Sequence, residues 1–216
     1  MTSCVLNFNP GMFGKGKTIK CKGPVVTRSF DFDGFEKIVV NGSSDMEISQ
    51  ADVFRIDVIA NEEVFDYLDY KVENNTLVID TKDHVNIKAE EYDIVLALPC
   101  LTSLEVNGAA DVDMKQAYVS DKEMVITVNG AGDFDFNGIT VPEFSIELNG
   151  AGDIEADGLD VGTLSIQVNG AGDVDLSGKA GSAIFSVSGA GDIDASKLDC
   201  ADIQTHKSGI ASIKLK

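Results

Sequence analysis

The sequence predicts an all-β solenoid, a β-helix with rungs of about 20 residues and Asn-Gly-Ala-Gly-Asp turns. Three observations predict it. A Gly-rich turn recurs at near-constant spacing, apolar and polar residues alternate on both sides of each turn, and turns are built from glycine, with 21 Gly against 4 Pro.

The turn comes first. Asn107-Gly108-Ala109-Ala110-Asp111 returns as Asn129-Gly130-Ala131-Gly132-Asp133, Asn149-Gly150-Ala151-Gly152-Asp153 and Asn169-Gly170-Ala171-Gly172-Asp173. Drifted copies follow at Ser188-Gly189-Ala190-Gly191-Asp192 and Ser208-Gly209-Ile210-Ala211-Ser212. Successive markers are 22, 20, 20, 19 and 20 residues apart, and an earlier relative, Asn41-Gly42-Ser43-Ser44-Asp45, lies 66 residues before Asn107. A fixed period of this length is the signature of a repeat architecture.

The flanks read as half-buried strands. Ile146 and Leu148 lead into one turn and Ile154 and Ala156 leave it, with Glu147 and Glu155 interleaved. Ile166, Val168, Val174 and Leu176 repeat the pattern, as do Phe185, Val187, Ile193 and Ala195. Such period-2 alternation belongs to strands with one buried face. Each repeat is therefore strand, sharp turn, strand and a looser second turn, as at 137–144 and 157–163. Hairpins could in principle lay these strands in an antiparallel meander. The constancy of one turn favours a coil, because coiling stacks Asn on Asn and Gly on Gly at strand spacing, where side-chain amides bond in ladders.

The first hundred residues read as the same architecture with less regularity. Ile38–Val40, Met46–Ile48, Phe54–Ile59, Leu77–Ile79 and Ile94–Leu98 carry strand patterning, Glu62–Tyr70 a short helix or loop, and Asn74-Asn75 a hairpin turn. One solenoid domain is expected over 29–216, irregular over 29–100 and regular over 101–216, preceded by a tether at 1–28. Met1-Thr2-Ser3-Cys4 matches the end of a bacterial lipoprotein signal, which makes Cys4 a candidate for lipidation.

Composition narrows the function. The formal charge of −19, from 36 acidic and 17 basic residues, opposes nucleic acid, whose phosphates need Lys and Arg patches. It equally opposes electrostatic docking on anionic lipid, leaving a membrane role only through a lipid anchor. Cys4, Cys21, Cys100 and Cys200 have no zinc spacing; a disulfide between two of them is open, with no pair singled out by the sequence, and Cys100 and Cys200 read as buried free thiols. His84 and His206, the only histidines, read as exposed. Neither a nucleophile elbow nor a phosphate loop is present.

The whole set of features resembles a family of bacterial auto-transporter adhesins, the GIN-type head domain. The residues that carry the resemblance span 29–216: Phe35-Glu36-Lys37-Ile38-Val39-Val40-Asn41-Gly42, Leu98-Pro99-Cys100-Leu101-Thr102-Ser103-Leu104-Glu105-Val106, and the serial Gly-Ala-Gly-Asp turns. The resemblance implies a right-handed β-helix of pectin-lyase type without its catalytic residues. It also implies a gram-negative cell envelope, outer-membrane-anchored or secreted, and adhesion to a protein or glycan on a host or neighbouring cell.

Two sets of residues are candidate sites. The acidic columns include Asp133, Asp135, Asp153, Glu155, Asp173 and Asp175, which stack on neighbouring coils and could collect Ca²⁺, a taker of six to eight oxygens. The competing reading makes these Asp solvated turn caps that bond backbone amides, in which case no cofactor is needed. The calcium nonapeptide register fails, because Phe134 stands where a ligand Asp is required. Tyr67, Tyr70 and Tyr92 mark the insertion-like region 60–92 as the patch for a partner, or as partial core cover. Uniform acids in every repeat suit a ladder better than an active site, so a non-catalytic surface is expected. A polysaccharide-active lyase or hydrolase and a purely structural envelope protein are the alternatives. At the C-terminal edge, Lys214 and Lys216 oppose open-ended fibre growth.

Overall fold

The computed structural model describes residues 17–216. It is 71% strand with no α-helix, wound into about six turns with stacked coils about 20 residues apart.

The irregular part contains β1 (Thr18–Lys20), β2 (Val25–Phe30), β3 (Lys37–Ser43), β4 (Asp45–Gln50), β5 (Arg55–Asn61), β6 (Leu68–Glu73), β7 (Thr76–Thr81), β8 (Asn86–Lys88) and β9 (Tyr92–Leu98). The regular part contains β10 (Ser103–Ala109), β11 (Val112–Met114), β12 (Tyr118–Val119), β13 (Met124–Val128), β14 (Phe134–Asn137), β15 (Ile139–Leu148), β16 (Ile154–Ala171), β17 (Val174–Asp199) and β18 (Asp202–Leu215). One face stacks β7, β3, β10, β13, β15, β16, β17 and β18 in parallel. A second stacks β9, β4, β11, β14 and β16, and a third begins with β12 on β15.

Register explains the alternation. Ile38, Leu104, Ile126, Ile146, Ile166 and Phe185 stack in one inward column, each 2% exposed or less. Their sequence neighbours point outward, as period-2 geometry requires. At the turn, Asn107 Nδ2 donates to Asn41 Oδ1 at 3.2 Å, Asn129 to Asn107 at 2.9 Å, Asn149 to Asn129 at 3.1 Å and Asn169 to Asn149 at 2.9 Å. The amide ladder expected from 107 onward therefore begins at Asn41. The glycine after each Asn is a matter of space: a Cβ on Gly150 would fall on the carbonyl oxygen of Gly130 in the coil beneath.

Several expectations change in detail. The second turn does not interrupt pairing in the later coils; β16 and β17 run through it, with one register shift between Ala156 and Leu159. Gly158, at φ +66°, supplies the bend that lets the backbone keep bonding to its neighbours. The segment expected as helix or loop is a 3₁₀ turn, Glu62–Asp66, leading into β6. Asn74 and Asn75 have φ of 51° and 64°, the left-handed pair of a tight hairpin turn, and β6 pairs antiparallel with β7. β5 sits antiparallel between β2 and β9, so the first coils are thickened by antiparallel excursions. The boundary expected at residue 29 falls inside β2.

Among the described residues, Cys21, Cys100 and Cys200 are free thiols. Cys21 is buried, whereas Cys100 and Cys200 are only half-buried, a correction to their expected burial. Cys4 lies outside the described residues. At the C-terminal end β18 has one neighbour among the described residues, β17, and Lys207 stands over the core residue Val187. Lys214 reaches back to Asp194 at 2.8 Å and Lys216 to Asp199 at 3.6 Å.

Candidate functional site

The acidic columns have two different roles. In the first, Asp133 N–H donates to Asp111 Oδ1 at 3.0 Å, Asp153 N–H to Asp133 at 3.2 Å and Asp173 N–H to Asp153 at 3.0 Å. Asp192 and Ser212 continue the chain onto Asp173 and Asp192. Each carboxylate thus accepts a backbone amide from the following coil, which is turn capping carried between coils rather than within one. The second column, Asp113, Asp135, Glu155 and Asp175, lies on the strand faces in register. Burial, with Asp113 alongside, pushes the Asp135 carboxyl above its usual range, and mainly Asp157 does so for Glu155. Lysine relieves the ends: Lys115 lies 2.7 Å from Asp113, and the Lys214 hydrogen bond holds Asp194 far below the carboxylate range. Among the described residues, no three His, Cys, Asp or Glu side chains are placed to hold a metal ion.

The tyrosines separate. Tyr70 and Tyr92 hydroxyls lie 2.7 Å apart, and the Tyr70 ring sits 5.2 Å from Phe30. Burial raises both phenols, Tyr92 to about 12 and Tyr70 well above its ordinary value. Tyr67 does not join this pair; its N–H closes the 3₁₀ turn on Val64 O at 2.9 Å. Half-buried and packed on the core, Tyr70 and Tyr92 serve as partial core cover, and Tyr92 also lines the feature that breaks the repeat.

That feature is a notch at the first turn. β3 pairs with β7 only as far as Val40 on Ile79, and pairing resumes at Asp45 on Asp93. In later coils this corner rests on a matching corner beneath. Here the underlying chain leaves for a detour over 82–91 that includes β8. The detour opens a groove of about 510 Å³, lined by Ser43, Ser44, Asp45, Lys88, Glu91 and Asp93 among others. An adjoining enclosed cavity of about 40 Å³ shares Ser43, Ser44, Ile87 and Tyr92. Ser44 is 6% exposed, and its Oγ has no hydrogen-bond partner among the described residues. Its counterparts in the other turns are Ala110, Gly132, Gly152, Gly172, Gly191 and Ala211.

The walls of the notch are held firmly. Asn61, 1% exposed, donates from Nδ2 to Gly23 O at 2.7 Å, and its Oδ1 accepts Glu90 and Glu91 N–H at 2.8 and 3.2 Å. Burial, reinforced by Asp111 and Asp93, raises the Asp45 carboxyl; burial and Glu91 raise that of Asp93. Sequence reading named Tyr92 and the region 60–92 but passed over Ser44, Asp45 and Asp93. The available signal was Ser44 itself, a hydroxyl in a column otherwise filled by Gly and Ala.

With this geometry in view, comparison with known proteins places the chain. Residues 34–216 match the family described as putative auto-transporter adhesin, head GIN domain. The chain belongs to this adhesin family. The fold of this head GIN domain recurs in a putative adhesin from Bacteroides fragilis, at a TM-score of 0.75 and 18% identity, over 92% of this chain and 100% of that one. A putative adhesin from Parabacteroides distasonis matches at 0.79 and 18%, covering 91% of this chain and 84% of the other. A protein from the same organism described as a putative lipid binding protein matches at 0.76 and 22%, over 93% and 100%. No curated protein matches this head GIN domain. No helix among its described residues is long and apolar enough to cross a membrane.

Proposed function

We propose that this chain is a non-catalytic adhesin of the gram-negative cell envelope, binding a protein or glycan on a host or neighbouring cell. The observation that carries the reading is the uniformity of the coils within an adhesin family. The regular rungs place acids and amides at the same positions, and the first Asp column and the Asn column are engaged in coil-to-coil hydrogen bonds. A reactive centre needs unlike groups converging on one point; a ladder instead offers long, stiff faces suited to extended contact. Lipidation at Cys4 would hold the protein at the outer membrane, and its absence would leave the protein secreted. Calcium, on this reading, is a mobile counterion of the acidic columns and not a resident cofactor.

The test is a screen of the purified chain against glycan and cell-surface-protein arrays, with Ca²⁺ and with chelator, alongside polysaccharide incubations. Saturable binding with no shortening of polysaccharide is expected. Chain cleavage of any polysaccharide would overturn the non-catalytic assignment, and binding that vanishes with chelator would make calcium a true ligand.

A further inference from the structure

We infer that the open edge of β18 is a docking site for an extended peptide strand that carries a carboxylate over Lys207. The inference goes beyond the adhesin reading and does not depend on it.

Hydrogen bonding at this edge is incomplete. Among the described residues β18 pairs only with β17. In the regular coils the carbonyl of Val128 accepts the Asn149 amide of the next coil at 2.7 Å. Lys207 holds this position on the last coil, and its carbonyl faces the side where no further strand lies. A row of such groups is a template for strand addition, in which the backbone supplies affinity and alternate side chains supply selectivity.

The last coil departs from the repeat at two positions of this edge. Val106, Val128, Leu148, Val168 and Val187 form an inward apolar column that ends in Lys207. Lys214 and Lys216 are paired with Asp194 and Asp199, whereas Lys207 is exposed and forms no ion pair among the described residues. At the corner, Ala109, Ala131, Ala151, Ala171 and Ala190 stack in line and end in Ile210, which is 86% exposed.

These two side chains define the occupant. A strand added in the parallel stacking register sets an inward residue over Lys207 and, three residues later, a corner residue beside Ile210. Covering Lys207 withdraws its ammonium from water, which an opposed carboxylate offsets and an apolar or basic residue does not. An apolar corner residue extends the contact with Ile210. A second copy lacks this pattern. Its open strands at the other end are β2 and β6. The inward residues of β2 are Val26, Arg28 and Phe30, in register with buried Ala60, Val58 and Ile56. Those of β6 include Tyr70 and Val72, in register with buried Ile79 and Leu77. A second β18 presents Ile203, Thr205 and Lys207. None of these is a carboxylate, so the occupant is a segment of a different protein.

The probe is a labelled synthetic peptide with the sequence of residues 182–195, the part of β17 on which β18 rests, carrying Val187→Glu and Ala190→Val. Fluorescence anisotropy follows its binding to the full chain and to the Lys207→Glu and Ile210→Ser variants, with thermal melting in parallel. On the wild-type chain the Val187→Glu peptide should bind about tenfold more tightly than counterparts with Val187 or Val187→Lys, a comparison that needs no variant to fold. Lys207→Glu should reverse the preference toward the Val187→Lys peptide, and Ile210→Ser should weaken the Val187→Glu peptide about threefold. Hydrogen exchange should show new protection confined to β18. No binding by any of the three peptides, protection elsewhere, or a preference that Lys207→Glu leaves unchanged would overturn the proposal. Concentration-dependent self-association of the wild-type chain through β18 would also overturn it, by assigning the edge to a second copy. The glycan and cell-surface arrays test the adhesin reading separately.

Discussion

Replacing Asn129 by serine tests whether the amide ladder is a cooperative spine or a decoration. Asn129 donates to Asn107 at 2.9 Å and accepts from Asn149 at 3.1 Å, so its loss breaks two amide–amide bonds. Asn169 donates to Asn149 at 2.9 Å and has Ser188 on its other side, so its loss breaks one. Serine fills this position at 188 and 208, so the turn itself tolerates the change. A net hydrogen bond contributes roughly 0.5–1.5 kcal/mol. Asn129→Ser should then cost about 2 kcal/mol and Asn169→Ser about 1 kcal/mol. Urea unfolding followed by far-ultraviolet circular dichroism reads the difference, with the slope against denaturant checked for constancy so that midpoints report stability. Equal losses, or a larger loss at Asn169, would refute the ladder as a chain of coupled bonds and assign the asparagines to local turn geometry.

Three further outcomes follow from the structure. Gly150→Ala places a methyl group on the Gly130 carbonyl and should destabilise the fold by more than about 3 kcal/mol, as misfits of backbone against backbone do; normal thermal melting would contradict the close approach of the corners. Lys207→Val restores the apolar character of its column above Val187 and removes an inward charge at an open edge; concentration-dependent end-to-end association by light scattering is expected, and a strict monomer at high concentration would count against edge protection by this lysine. The third outcome concerns pH. The Asp45, Asp93 and Asp135 carboxyls titrate above 3.8 and that of Glu155 above 4.5 in the folded chain. The folded state therefore binds their protons first, and stability rises as pH falls toward these values. Asp57, held low chiefly by Ser29 and also by Arg55, works oppositely, its contribution being lost as pH falls from 3.8 through its lower folded-state value. The urea midpoint should climb on acidification from pH 7 to the carboxylate range and then drop; a monotonic fall from neutrality would contradict the assignment.

What could be read from the sequence was whatever the chain states more than once. The Asn, Gly and apolar columns recur often enough that stacking is the economical solution, and Asn74-Asn75 announces its hairpin by residue type alone. The sequence also offered capping as one reading of the first Asp column but hid the partner: the amide that Asp133 accepts is that of Asp153, 20 residues on in another coil. The antiparallel placement of β5 between β2 and β9 was hidden, because Ile56, Val58 and Ala60 read the same in either direction. The Asn61 clamp joins residues 23, 61 and 90–91, a meeting that no local pattern encodes. The notch escaped for a related reason: Ser44 differs from the Gly and Ala at its counterpart positions, but the missing corner beneath it is made by the detour over 82–91, which no local pattern encodes.

The stacking also fixes how the molecule yields to force. Among the described residues β18 is bonded only to β17, and each coil is joined to the next by hydrogen bonds that run along the stacking direction. Tension on the C-terminus would load a few bonds at a time and peel one coil before the next. Each released coil of about 20 residues pays out roughly 65–70 Å of extended chain. A load carried through such a rod would meet a series of short, repeated yields instead of a single rupture, and the number of those steps would count the coils.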